Sequence, residues 1–320
     1  MHKFKILKKE EGQRFDIYLT GKNPKYSRAM IQKLIKSGGA LVNGKTETPH
    51  YSLKEDDTIG FEIKKTVNIN NADKKEEISE KKKLDVEVIA ETDDYVVINK
   101  PTGLIVHPSE QSKEKTLVDY MLEKYPEIKK VGEDPLRPGI VHRLDKDVSG
   151  LMVIARNQKS FESLKKQFKD RKINKEYVGL VYGKTAKDND EINFPIERAA
   201  NGFKMAALPF TKKGEKNEDG REAISEFSVI KRFVHFTLLK IKIKTGRTHQ
   251  IRAHMSAYGY PLVGDDLYGN KKTKVFNKKH ALNRVFLMSE KLCFKNLNKE
   301  KKCFEIRLPE DLEIFLTKIK

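Results

Sequence analysis

A chain of 320 residues with 38% hydrophobic content has material for one large core or two to three smaller ones. Charged residues make up 35% and the formal net charge is +19, so the expected partner is a polyanion; nucleic acid leads, because a phosphate backbone rewards many dispersed lysines and arginines, although 46 acidic residues accompany the basic ones and part of the excess reflects general lysine richness. Two cysteines, Cys293 and Cys303, without CxxC spacing argue against a disulfide framework and a structural zinc site, and no apolar run approaches the ~18 residues that span a bilayer.

The opening stretch MHKFKILKKEEGQ lacks the apolar block of a secretion signal, so a soluble, cytoplasmic protein with no membrane partner is expected. Residues 1–65 read as a small α/β module. Within it, YSRAMIQKLIKSGG is a helix with Met30, Leu34 and Ile35 on one face, closed by Gly38 and Gly39 in left-handed conformations. ALVNGK is a short strand with an Asn-Gly turn, and DDTIGFEIK is a second strand with Ile59, Phe61 and Ile63 alternating. Residues 66–83, TVNINNADKKEEISEKKK, have few large apolar groups and many charges of both signs, the composition of a flexible linker.

From residue 84 to 320 the pattern is strand-rich with interspersed helices. VEVIAETDDYVVINKP reads as a hairpin-like strand pair, and Thr116 to Tyr125 as a helix ended before Pro126. NQKSFESLKKQF is a helix capped by Asn157 with Phe161, Leu164 and Phe168 on one side. KEYVGLVYG, AISEFSVIKRF and HFTLLKIKIKTG are strands, and THQIRAHMSAYG is a helix capped by Thr248 and closed by Gly259. The sum is an α+β domain built on a mostly antiparallel, mixed sheet.

Three places carry candidate chemistry. In GIVHRLDKDVSGLMVIAR, Arg143 and Asp145 stand two apart, just before an apolar run built to be buried. A carboxylate at a core edge must be neutralised by a cation or it protonates. An ionised aspartate held by arginine is what a carboxylate nucleophile needs, whereas a surface ion pair is the bland alternative. In TGRTHQIRAHMSAYG, Arg247 lies in the turn and Arg252 one turn along the helix, which suits a phosphate or carboxylate as well as a solvated basic face. Tyr177 in NKEYVGLVYG either packs in the core or stacks on an extruded base. His249 and His254 do not have the i, i+4 spacing of a helical metal pair, and neither a P-loop nor a GxGxxG turn is present, so no metal, nucleotide or other cofactor is expected.

These residues resemble the RluA-type family of RNA pseudouridine synthases, and within it the RluD/RluC-like branch acting on large ribosomal subunit RNA. NKPTGLIVHP, the HRLD segment, KEYVGLVYG and TGRTHQIRAHMSAYGYPLVGDDLYG follow in family order across residues 98–269. The N-terminal module resembles the S4-type RNA-binding domain, with Arg14-Phe15-Asp16 where that domain usually has Arg-Leu-Asp. RVFLMSEKLCF stands where the family usually shows an LHA element.

The resemblance implies an isomerase that turns specific uridines of 23S ribosomal RNA, free or in large-subunit particles, into pseudouridine. It implies Asp145 as the catalytic aspartate, Arg252 as the cation keeping it ionised, Tyr177 stacked on the target uracil, and Arg143 filling the place of the flipped base. Further RNA contacts are expected from His142, Arg247, His249 and Gln250, and from Arg28 and Lys33 on the N-terminal module's helix. Asp147 reads as a turn residue, and a monomer is expected. An RNA-binding ribosome assembly factor and a tRNA-modifying enzyme are the alternatives.

Overall fold

A computed structural model describes residues 2–23, 31, 32, 34, 35, 37–61, 86–108, 114–199, 204–209, 220–280 and 282–319. The expected linker at 66–83, together with Met30, Ile63, Arg28 and Lys33, lies outside the described residues. The chain divides into two compact units, Met1–Lys81 and Lys82–Lys320.

In the first unit, β1 (His2–Lys5) and β2 (Ala40–Val42) flank β3 (Thr58–Phe61), and α1 (Phe15–Lys22) packs with Ile31 and Ile35 over them. The Asn-Gly turn after β2 has φ of 52° at Asn43 and 75° at Gly44, the left-handed pair a tight hairpin requires. Gly38 is left-handed as expected, at φ 74°; Gly39 is not. Phe15 is fully buried in this core, while Arg14 clasps Asp16 through Nε at 3.1 Å and Nη2 at 3.0 Å.

The second unit is built on one long sheet. Its strands are β4 (Glu87–Glu91), β5 (Tyr95–Lys100), β6 (Ser149–Ala155), β7 (Asn174–Tyr182), β8 (Asn189–Ile192), β11 (Ser225–Arg232), β12 (Phe236–Ile243), β13 (Leu287–Lys295) and β14 (Lys301–Glu305). Their order is β4-β5-β6-β13-β7-β12-β11-β8, with β14 on β13; the short β9 (Ile196–Arg198) and β10 (Met205–Ala207) pair separately. Every pairing is antiparallel except β6 with β13, which run parallel through Met288–Ser149 and Ser289–Gly150. Helices α2 (Leu117–Lys124), α3 (Gln158–Lys169), α4 (Gln250–Ala257), α5 (Lys271–His280) and α6 (Glu310–Lys318) pack around it. The expected α+β class is what the chain adopts.

Side-chain alternation divides the core between the two faces of the sheet. On β7, Tyr177 and Val181 join the main cluster with Leu239 and Ile241, whereas Val178 and Leu180 join Phe286, Leu312 and Phe315 beneath α6. All of β6 is buried, which is why SGLMVIA reads as a continuous apolar run rather than an alternating one. Each such side chain contributes roughly 1.5–3 kcal/mol. The caps follow the local sequence: Asn157 accepts from the Ser160 amide at 2.9 Å, and Asp119 accepts from the Thr116 amide at 2.7 Å.

The cysteines require a correction. Cys293 and Cys303 sit opposite each other on β13 and β14, with Cα atoms 4.2 Å apart, and form a disulfide. There is no framework of bridges among the described residues, but there is one hairpin cross-link, and only the strand register reveals it.

Candidate active site

The loop leading into β6 is fixed from the side and from below. Because β13 covers only the first two residues of β6, the Val153 amide has no strand partner there. His142 supplies one: its Nε2 accepts that N–H at 3.0 Å, and its ring stacks on Phe168 with centroids 4.6 Å apart. Burial, aided by the charge of Lys175, pushes His142 down to about 3, so the ring is neutral and the bond persists. From below, the wholly buried Lys100 donates to the carbonyls of Pro101 at 2.8 Å, Leu104 at 2.9 Å and Lys146 at 3.3 Å. It thereby ties the NKPTGL loop to the loop carrying Asp145. Burial lowers its pKa to about 7 against the opposing pull of Asp145.

Asp145 stands on this platform with 16% of its side chain exposed. Arg252 of α4 faces it, its Nη1 3.4 Å from Asp145 Oδ2. The guanidinium is aimed by Asp265, which accepts from Nε at 2.7 Å and from Nη2 at 2.9 Å, and the Tyr268 ring lies 5.3 Å from its central carbon. Burial opposes the charge on Arg252, but the Asp265 hydrogen bonds and the fields of Asp265 and Asp145 outweigh it and raise its pKa. His249 Nε2 is 4.0 Å from Asp145 Oδ1, while its Nδ1 meets the Tyr268 hydroxyl at 3.0 Å. Tyr177 forms a buried wall opposite Ser289, its register partner on β13; burial first and the Asp145 charge second raise its pKa, so it is a neutral phenol. One carboxylate beside a fixed cation, an aromatic wall and a neutral hydroxyl can open and reclose a glycosidic bond without a second acid. A hydrolytic glycosidase, by contrast, uses a carboxylate pair.

The structure brings Asp145, Tyr177, Arg252, Arg143, His142, Arg247, His249 and Gln250 to the wall of one cavity of about 490 Å³. Four of the expectations change in detail. No ion pair joins Arg143 to Asp145 among the described residues; Arg143 Nη1 instead donates to His107 Nε2 at 2.9 Å, with His107 Nδ1 on the Pro108 carbonyl at 3.1 Å. Gln250 accepts from Thr245 at 2.7 Å and the Arg247 amide at 3.0 Å, and donates to Ile224 at 2.9 Å and Ser225 at 3.1 Å. Its amide is thus satisfied internally and shapes the turn. His142 likewise commits its Nε2 to the backbone. Thr248 does not cap α4; the cap position is His249, left-handed at φ 54°.

Sequence reasoning did not find Asp265, Tyr268, Lys100 or His107 as parts of the site. The signal available for Asp265 was a second carboxylate in the GDDLYG turn, which a buried arginine beside a partly exposed aspartate calls for. Around the mouth, Arg171 pairs with Glu222 at 2.6 Å and Lys244 with Glu191 at 2.9 Å, whereas Lys175 lines the cavity with no carboxylate partner among the described residues.

An α+β sheet enclosing one carboxylate, one clamped arginine and one buried tyrosine defines an RNA-modifying isomerase once its relatives are set beside it. Residues 94–257 match the family described as RNA pseudouridylate synthase, and residues 13–59 match the S4 domain. The chain belongs to the RNA pseudouridylate synthase family. It is 35% identical to ribosomal large subunit pseudouridine synthase D of Buchnera aphidicola, over 96% of this chain and 95% of that one. It is 33% identical to an RNA pseudouridine synthase of Bacillus subtilis, over 87% and 86% of the two chains. The fold is shared with human RNA pseudouridylate synthase domain containing 4, at a TM-score of 0.59 and 21% identity, over 73% of this chain and 94% of that one.

Proposed function

We propose that this RluA-type pseudouridine synthase acts as a cytoplasmic monomer on large-subunit (23S) ribosomal RNA, with Asp145 starting the reaction at the ribose. The observation that carries this reading is the Asp145 carboxylate in the cavity, 3.4 Å from an arginine that Asp265 holds in place. Several relatives bear the name ribosomal large subunit pseudouridine synthase D, which favours large-subunit RNA as the substrate.

Pseudouridine formation breaks the bond between uracil N1 and ribose C1′, turns the base, joins C5 to C1′, and moves one proton from C5 to N1. Atoms and electrons balance within the nucleotide. Asp145 either attacks C1′ or removes the neighbouring C2′ proton, and both routes need the carboxylate ionised beside Arg252. Tyr177 offers the uracil a flat apolar partner and, as a neutral phenol, an O–H donor. Arg143, held at the cavity by His107, fills the gap the extruded base leaves and offsets part of the few kcal/mol that flipping costs. The S4 domain raises the local concentration of RNA through its tether.

The test maps pseudouridines by carbodiimide-dependent reverse-transcription stops on 23S rRNA, large-subunit particles and tRNA, with wild type and Asp145→Ala in parallel. Stops on 23S rRNA with wild type alone are expected. Stops confined to tRNA would move the substrate, and tight RNA binding without any stop would leave an assembly factor.

A further inference from the structure

The stretch KKTKVFNKKH is absorbed by nothing in the site, yet it forms a complete helix, α5, with five lysines and no acidic residue. At about 100° per residue, Lys271, Lys272, Lys274, Lys278 and Lys279 spread over one side, and Thr273 and Asn277 point the opposite way. Burial agrees: Thr273 and Asn277 are buried, and all five lysines are exposed. None has a carboxylate at ion-pair distance among the described residues, whereas Lys165 reaches Glu133 and Lys291 reaches Glu305. Such an arrangement works against the helix itself. Lys274 and Lys278 repel at i, i+4, and Lys271 and Lys272 sit at the positive end of the helix dipole.

The helix is also tied to the active site. Asn277 Oδ1 accepts from the Gly264 amide at 2.9 Å and from the Tyr182 hydroxyl at 2.5 Å, and its Nδ2 donates to Asp266 at 2.8 Å. The turn so gripped carries Asp265, the residue that clamps Arg252. Lys271 follows Tyr268 by three residues, a reach of at most about 11 Å, and the Tyr268 ring packs on Arg252.

We propose that α5 is a second RNA contact, a strip of lysines that binds backbone phosphates of the substrate strand beside the mouth of the active-site cavity. This rests on the reading of that cavity as the uridine site. From Lys271 to Lys279 the helix rises about 12 Å, room for three or four phosphates of a strand spaced about 3.4 Å apart along an axis. Charge complementarity and the tie to the turn that carries Asp265 both select RNA, and phosphate contacts of this kind position a strand without reading its sequence.

The experiment replaces all five lysines by glutamine in the full chain and, in a second variant, by arginine. The dissociation constant for a 23S rRNA transcript is measured from about 50 to 200 mM salt, the range over which phosphate contacts are lost. The glutamine variant should bind at least about tenfold more weakly, with a salt slope shallower by about 2 to 4. The arginine variant should restore both. Unchanged slope and affinity in a folded glutamine variant overturn the proposal, as does failure of the arginine variant to restore them. Binding is read without turnover, so absence of pseudouridine in wild type would remove the isomerase reading alone.

Discussion

Asp265 grips Arg252 with both carboxylate oxygens, at 2.7 and 2.9 Å, and leaves it a single nitrogen to offer Asp145 at 3.4 Å. Without that grip the guanidinium would be free to swing onto Asp145 and occupy it. Asp265→Asn, which keeps the shape and halves the acceptors, should therefore lower turnover by about a hundredfold, the usual consequence of a misplaced reacting group, while RNA affinity changes far less. Asp265→Ala should in addition destabilise the Lys82–Lys320 unit by about 3–5 kcal/mol, because Arg252 is left buried with one distant partner. Single-turnover kinetics and denaturant unfolding of both variants check this, and an Asp265→Asn enzyme with normal turnover refutes it.

Asp145, Tyr177 and Arg252 were legible because each lies in a block whose local pattern declares its element: a loop before an apolar strand, a strand start, a helix after a turn. Asp265 was not, because its role depends on a turn folding back over α4. Gln250 is the opposite case. A polar residue among arginines looks the same whether it faces RNA or the Thr245 hydroxyl, and only tertiary contacts decide. The parallel junction of β6 with β13 and the Cys293–Cys303 bridge are both matters of register between distant or hairpin-paired segments, which hydrophobic periodicity does not encode. The strands β8, β9 and β10, three or four residues long, carry too short a pattern to stand out.

Lys175 lines the cavity without a carboxylate partner among the described residues, and burial lowers its pKa to about 8. Its charge is present below that value and is lost as pH rises through it. If it holds an RNA phosphate, affinity should fall between about pH 7 and 9 by about tenfold or more, the size of one charged hydrogen bond at ~1.5–3 kcal/mol. Lys175→Arg should flatten the profile, and Lys175→Met should bind weakly at every pH. Equal profiles for wild type and Lys175→Met would exclude the contact.

His142 and His254 give the stability of the catalytic unit its acid dependence. His254 is buried between the Ser225 hydroxyl at 3.0 Å and the Phe194 carbonyl at 2.9 Å, and burial lowers it to about 4, as it lowers His142 to about 3. Both folded values lie below the unfolded value of about 6.5, so the unfolded chain binds more protons between those limits. Stability is full above pH 6.5 and should decline as pH falls toward 4, by up to about 1.4 kcal/mol per unit for each group. Denaturant unfolding at a series of pH values measures it, and His254→Gln should show the shallower slope. A slope unaltered by that substitution would remove His254 from the account.

The parallel junction of β6 and β13 is where the two halves of the site meet. Gly150 adopts φ 117° there, and a Cβ would lie 2.3 Å from the Ser289 carbonyl oxygen and 2.6 Å from its nitrogen. Neither atom can yield, because both belong to the backbone of β13. Ser289 also pairs with Tyr177 in the β7–β13 register. Five residues upstream of Gly150, the same strand is entered from Asp145. Gly150→Ala should push β13 away from β6, destabilise the unit by about 2–4 kcal/mol through strain and overpacking, and shift Tyr177 relative to Asp145. Turnover at a temperature where the variant remains folded should then fall at least about tenfold, since a displacement near 1 Å already costs more than that. A Gly150→Ala enzyme with wild-type stability and turnover would show that the junction is slack and that Tyr177 and Asp145 are positioned independently of it.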